Sequence, residues 1–172
     1  MSKRTKMIIL VILIVLILLT GAYLYYTLSL QERTKERNAA IASARSQAQL
    51  TEVKRADKWV WGENSIFWVI QGTTDSGEEE YVWLKYTSEG TPAEGENALR
   101  TLAVNGTVTR EDMRSRFEAE YPDAKLVRML PGIHNNQYVW QIFYEQNDKH
   151  YYQFYNLKDG SAIGEAFEMA KW

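Results

Sequence analysis

The chain contains no cysteine, and its 172 residues include only two histidines and three prolines. Without cysteine there can be no disulfide, no thiolate nucleophile and no cysteine-ligated zinc or iron–sulfur site. The two histidines, His134 and His150, fall in different expected hairpin regions on either side of a strand. They read as ordinary loop or strand-end residues and not as a metal pair or an acid/base couple. Ser-x-x-Lys, Gly-x-Ser-x-Gly, His-Glu-x-x-His, Gly-x-Gly-x-x-Gly and a Walker loop are all missing from the sequence, which removes the common nucleophile, zinc and nucleotide motifs. No catalytic residue, metal ligand or cofactor is therefore expected. Positive charge is scarce as well. Beyond Lys3, Arg4 and Lys6 there remain 17 basic residues against 22 acidic ones, a formal charge of −5. A general nucleic-acid binder needs a basic surface, so nucleic acid is not an expected partner.

What the chain has instead is one long apolar run. Met7 to Leu28 holds 22 residues without a charge, and Met7 to Leu19 are all Met, Ile, Leu or Val. A bilayer core of about 30 Å needs about 20 helical residues, so this run is long enough to cross once. It passes through Thr20-Gly21-Ala22 into Tyr23, Tyr25 and Tyr26, an interfacial aromatic belt and not a cleavage site. Lys3, Arg4 and Lys6 precede the run while Glu32 is the first charge after it, which places a cytoplasmic tail at 1–6, an uncleaved transmembrane helix at 7–28 and the remainder outside the cell. The expected location is the cell membrane, single-pass.

Gln31 to Ala56 has neither Gly nor Pro and is rich in Ala, Glu, Arg, Lys and Gln, so it reads as one long stalk helix with a thin stripe of Ile41, Ala44 and Ala48, extended by Leu50 and Val53. Trp59-Val60-Trp61, Ile66 to Gln71 and Tyr81 to Tyr86 are aromatic and β-branched runs separated by turn residues, which predicts a three-stranded meander. Glu78-Glu79-Glu80 reads as a solvated hairpin end. Ser88 to Glu96, with Gly90, Pro92 and Gly95, is a loop or junction. Asn97 to Val104 is a short helix candidate. Thr109, followed by Glu111 and Asp112, caps a second helix that ends ahead of Pro122 and turns Met113 and Phe117 to one side. Strand signals return at Lys125 to Met129, Gln137 to Glu145 and His150 to Asn156, while Ala162 to Trp172 carries no strong signal.

Asp57-Lys58-Trp59-Val60 echoes Ala124-Lys125-Leu126-Val127, Trp68-Val69-Ile70 echoes Trp140-Gln141-Ile142, and Tyr81 through Gly90 echoes Tyr151 through Gly160. The same helix-then-three-strands unit therefore occurs twice, over 29–90 and 91–172. Strand alternation, with Gln141, Gln153 and Lys85 marking outer faces, sets Trp68, Ile70, Val82, Leu84, Trp140, Ile142, Tyr152 and Phe154 toward the helices. The outer faces then carry Phe67, Val69, Tyr81 and Trp83 in one unit and Val139, Phe143, Tyr151 and Tyr155 in the other. Faces that apolar either pack on each other or on the stalk, or dock a partner. Phe67, Val69, Tyr81, Trp83, Tyr151 and Tyr155 are the candidate partner-binding residues.

The order of parts, with Thr109-Arg110-Glu111-Asp112 opening a helix, Tyr121-Pro122-Asp123-Ala124-Lys125 closing it, then Trp140-Gln141-Ile142-Phe143-Tyr144 and Tyr155-Asn156-Leu157-Lys158-Asp159-Gly160, resembles the TseB-like cell-wall elongation regulators of Gram-positive bacteria. Their exported part belongs with the PepSY-type folds. The resemblance implies an α+β fold: a transmembrane and stalk helix, then two PepSY-like or cystatin-like units of a helix and an antiparallel sheet. It also implies a non-enzymatic regulator that binds a class B penicillin-binding protein, the elongation transpeptidase. A PepSY-type inhibitor or chaperone of an exported protease, and an envelope glycan binder, are the alternatives.

Overall fold

The computed structural model describes residues 3–170, with the side chains of 1–6, 8, 11, 28–30 and 32 outside the described set. The fold is α+β, with two four-stranded antiparallel sheets. Helix α1 (Lys3–Gln47) leads into β1 (Leu50–Gly62), β2 (Ser65–Thr74), β3 (Glu79–Tyr86) and β4 (Leu99–Ala103). Helix α2 (Arg110–Glu120) leads into β5 (Lys125–His134), β6 (Gln137–Gln146), β7 (Lys149–Asn156) and β8 (Ala162–Glu168). Each sheet keeps its strands in chain order, so each half is a helix followed by a meander of four strands where three were expected.

Three local expectations are corrected. The stalk helix stops at Gln47, and Leu50 to Ala56 are strand, not helix. Gln49 takes a positive φ of 54°, which ends the helix, and the β-branched Thr51 and Val53 then gain a partner in β2 that a lone helix would lack. Asn97 to Val104 is not a helix: Leu99 to Ala103 pair with β3 as an edge strand. Residues 162–168, without a sequence signal of their own, complete the second sheet against β7. Thr109 caps α2 as expected, its hydroxyl accepting from the Asp112 N–H at 3.1 Å.

The chain forms two compact units, Met1–Ala39 and Ala40–Trp172. The first is helical. Its described side chains between 12 and 27 are apolar or aromatic apart from Thr20, Gly21 and Thr27, and all but Thr27 are exposed. Thr20 Oγ1 donates to Leu16 O at 2.8 Å and Thr27 Oγ1 to Leu24 O at 2.9 Å, which satisfies both hydroxyls within the helix. Among the described residues no helix is long and apolar enough to cross a membrane. The expected span 7–28 includes Ile8, Val11 and Leu28, whose side chains lie outside the described set, as does the tail at 1–6.

In the second unit the two halves share one interior. Ala40 and Ala44, on the last turns of α1, are fully buried against Ile66, Trp68, Ile70, Val82, Leu84 and Tyr86, one face of the first sheet. The opposite face, with Trp59, Phe67, Val69, Tyr81 and Trp83, joins a larger core with Met113 and Phe117 of α2 and Trp140, Ile142 and Tyr144 of the second sheet. Trp83 lies 4.6 Å from the ring of Tyr138, and Tyr81 meets Trp140 edge-on at 6.3 Å. The indole of Trp59 packs against Gly132, where an added Cβ would collide with its ring. Pro131 beside it is tolerated because β5 is an edge strand.

This contact generates a test. Gly132→Ala should lower the unfolding free energy by about 1–3 kcal/mol, the usual cost of overpacking a filled core. Gly62→Ala, whose added Cβ meets nothing within 4 Å, should leave the urea midpoint nearly unchanged.

Candidate functional site

Two-residue turns set the registers of the second sheet. Asn135-Asn136 and Asn147-Asp148 all have φ between 47° and 61°, the left-handed pair that a type I′ hairpin requires and that Asn and Asp tolerate. The resulting pairing sets Arg128 opposite Phe143, Phe143 opposite Tyr152 and Tyr152 opposite Phe167. Opposed residues share a face, so these four form one row across all four strands. Both described helices are engaged elsewhere: the end of α1 covers the first sheet, and α2 lies on the other face of the second sheet, where Phe117 and Tyr121 meet Tyr144 at 5.1 and 5.2 Å.

The row is accordingly open. Phe167 is 59% exposed, Phe143 and Tyr152 are half-buried, and His150 beside them is exposed. Phe143 stacks on Tyr152 at 4.7 Å and on His150 at 5.5 Å. Arg128 lies over the Phe143 ring at 5.9 Å and donates from Nη2 to Tyr152 Oη at 3.1 Å. Trp61, reaching over from β1, closes one side with edge contacts to Phe154 at 4.9 Å, Tyr152 at 5.2 Å and Phe167 at 6.5 Å. A cleft of about 430 Å³ adjoins Phe143 and His150, and its lining includes the Lys149–Glu168 ion pair at 2.9 Å and Asp148.

The residues expected to bind a partner are elsewhere. Phe67, Val69, Tyr81 and Trp83 are in the interior, because the second half of the chain covers the outer face of the first sheet. The alternative weighed for those faces, packing within the molecule, is the one adopted. Tyr155 is buried on the α2 side and donates its hydroxyl to Glu120 Oε2 at 3.0 Å, while Tyr151 stacks on Tyr144 at 5.3 Å on that same face. Gln153 misled the assignment. It is 2% exposed, and its amide donates to Phe154 O and Gly164 O at 3.1 and 3.2 Å, so its polarity marks a satisfied interior position and not the solvent side. Tyr152 and Phe154, expected to face α2, therefore lie on the opposite face. The signal that finds this is the Asn147-Asp148 turn: with Gln146 opposite Lys149, Phe143 must oppose Tyr152.

Titration chemistry is muted. Burial pushes the phenols of Tyr81 and Tyr144 up to about 12. The Tyr155 phenol is raised further, by burial and then by Glu120. His134 stacks on Phe154 at 4.3 Å with Trp61 at its edge, and burial lowers its pKa. It is held as neutral packing. The histidines have different ring neighbours, and no group of three His, Cys, Asp or Glu could hold a metal among the described residues.

No family model matches the chain, and no curated protein matches it. Its fold is similar to that of the YpmB protein from Bacillus subtilis. The likeness has a TM-score of 0.61 at 16% identity and covers 77% of this chain and 97% of that one. Identity that low establishes a shared fold and nothing of function.

Two outcomes check the geometry. Trp83→Ala should cost about 3–5 kcal/mol of stability, as large a loss as Trp140→Ala, because both truncations empty one core. Phe167→Ala should stay within about 0.5 kcal/mol of the parent in the same chemical melts. His134 gives the pH dependence. Its folded pKa lies below the unfolded value of about 6.5, so the folded state binds fewer protons and stability is complete above that pH. It is lost as pH falls from there through the lowered folded pKa. His134→Phe should shrink the fall in urea midpoint between about pH 7.5 and 5.5.

Proposed function

We propose that the protein is a membrane-anchored, non-enzymatic binding module on the outer side of the cell membrane, which docks a class B penicillin-binding protein and so regulates cell-wall elongation. The observation that carries the reading is the open row Phe143, Tyr152 and Phe167, flanked by Trp61. Rigid aromatic side chains on a sheet supply contact area at small entropic cost, and aromatic anchors dominate interface energetics. The row replaces the buried face as the docking surface. The tether is supported by the exposed apolar side chains between 12 and 27 in α1 and by the charge asymmetry around the 7–28 run. The transpeptidase as partner comes from the resemblance to the TseB-like regulators.

The test uses the full chain in cells, with a photo-crosslinking residue at Phe143 or Phe167 and, as a control, at Glu89 in the loop after β3. The elongation transpeptidase should be captured from the first two positions and not from the third. With purified partners, Phe167→Ala should weaken binding by about 2 kcal/mol, roughly 30-fold in Kd. Capture of an exported protease instead would favour the inhibitor or chaperone reading. Co-sedimentation with isolated cell walls that is lost in Phe167→Ala would favour glycan binding.

A further inference from the structure

The described surface carries a second feature that the docking reading does not use. Where the first turns of α2 meet β5 and β1, Arg55, Arg110, Arg114 and Arg128 line a cleft of about 240 Å³. Four guanidinium groups gather here on a part of the chain whose balance beyond the N-terminal cations is acidic.

One carboxylate opposes them. Asp57 accepts from Arg55 and, at 3.4 Å, from Arg110. Arg110 is the anchored member: its side chain is 27% exposed, it donates to Met129 O and lies over the Trp140 ring at 5.1 Å. Burial, and then Arg55, lower its pKa against the pull of Asp57. Arg128 reaches Tyr152 Oη, a neutral partner. Among the described residues the four cations have one carboxylate, Asp57, in ion-pair contact, and three of the guanidinium groups are already held in place by protein atoms.

The shape of the vacancy and the donor type restrict the ligand. Guanidinium groups offer planar forks that match carboxylate and phosphate oxygens. A carboxylate has two oxygens and one charge, so it engages fewer of these forks and offsets less of the excess than a group with three oxygens and two charges. A phosphate group offers more oxygens and up to two charges. The volume is below the range of about 300–1,000 Å³ that encloses a drug-sized molecule, which suits one charged group of a larger ligand.

We propose that this cleft is a binding site for a phosphate monoester, with Arg110 at its base and the exposed Arg55, Arg114 and Arg128 closing on it from the rim. The site does not depend on the identity of the docking partner. Because Arg128 also heads the aromatic row, a phosphate in the cleft lies next to the docking face, and its occupancy would draw Arg128 from Tyr152.

The test uses the full chain, in detergent micelles and in phosphatidylcholine nanodiscs. Inorganic phosphate and glycerol phosphate are titrated at constant ionic strength, set with chloride, and thermal stability and binding heat are recorded. A saturable rise in Tm is expected with phosphate and not with chloride. Arg114→Gln and Arg128→Gln should each weaken it at least tenfold, measured against the variant's own phosphate-free Tm, and Arg114→Gln, at an exposed position of α2, should leave that Tm unchanged. Lys158→Gln, on the turn after β7, should bind as the parent does. A second arm replaces part of the phosphatidylcholine with phosphatidic acid, a lipid phosphate monoester, and reads Tm without soluble phosphate. Saturation by glycerol phosphate identifies a soluble ester as the source, whereas an arginine-dependent rise only with phosphatidic acid identifies a lipid headgroup. No saturable response in either arm, or a response that both arginine variants retain, overturns the site.

Discussion

Everything else in the folded unit depends on how the second face of the first sheet is kept from water. Its two central strands, β2 and β3, are buried on both sides, which one helix cannot cover. Ala40 and Ala44 take one side. The other is buried by the second half of the chain, with Trp59 against Gly132, Trp83 on Tyr138 and Tyr81 on Trp140. Each helix-and-meander half is small, and a domain of about 60 residues buries only about 60% of its unfolded surface. A shared aromatic layer lets two marginal halves act as one. It also explains why Gly132 has no side chain: the indole needs the backbone itself as its floor.

The joint breaks the symmetry of the repeat. In the first sheet both faces are spent on the interior. In the second, α2 covers one face, and on the other Trp59 packs at Gly132 and Trp61 on Phe154, leaving Phe143, Tyr152 and Phe167 in a half-open row. Two copies of one topology therefore have different surfaces. The structural copy supplies the closing tryptophans, and the other is free to carry a binding face. His134 shows the same economy, with its ring stacked flat on Phe154 as packing and its charge suppressed by burial.

Much of this was legible in the residues. The capped second helix, the repeat, the helix-facing Trp68, Ile70, Trp140 and Ile142, and the choice between internal packing and docking all follow from periodicity and composition. The failures have specific physical causes. Leu50 to Ala56 carry helix-favouring residues, but pairing with β2 overrides a propensity worth a few tenths of a kcal/mol per residue. Leu99 to Ala103 is too short for its period to distinguish strand from helix. Gln141 and Gln153 are both 2% exposed on opposite faces, so polarity could not serve as a compass in the second sheet. The arginine cleft was out of reach, because Arg55 lies 55 positions before Arg110 and only the joint between the sheets brings them together.

The cleft and the row meet at Arg128, and that meeting follows from register. A bulge between Leu126 and Arg128 shifts β5 against β6. Arg128 then stands opposite Phe143, at the head of the aromatic row, while Arg110 at the start of α2 donates to the neighbouring Met129 carbonyl. Asp57 reaches the same place because β1 runs past β5 on its way to the Trp59 contact with Gly132. The packing that hides the first sheet's aromatic face thus assembles both surface features at one edge of the fold. A substitution that loosened the joint would disperse the arginines and tilt Trp61 off the row together, so loss of either feature has to be judged beside the stability of the core that positions it.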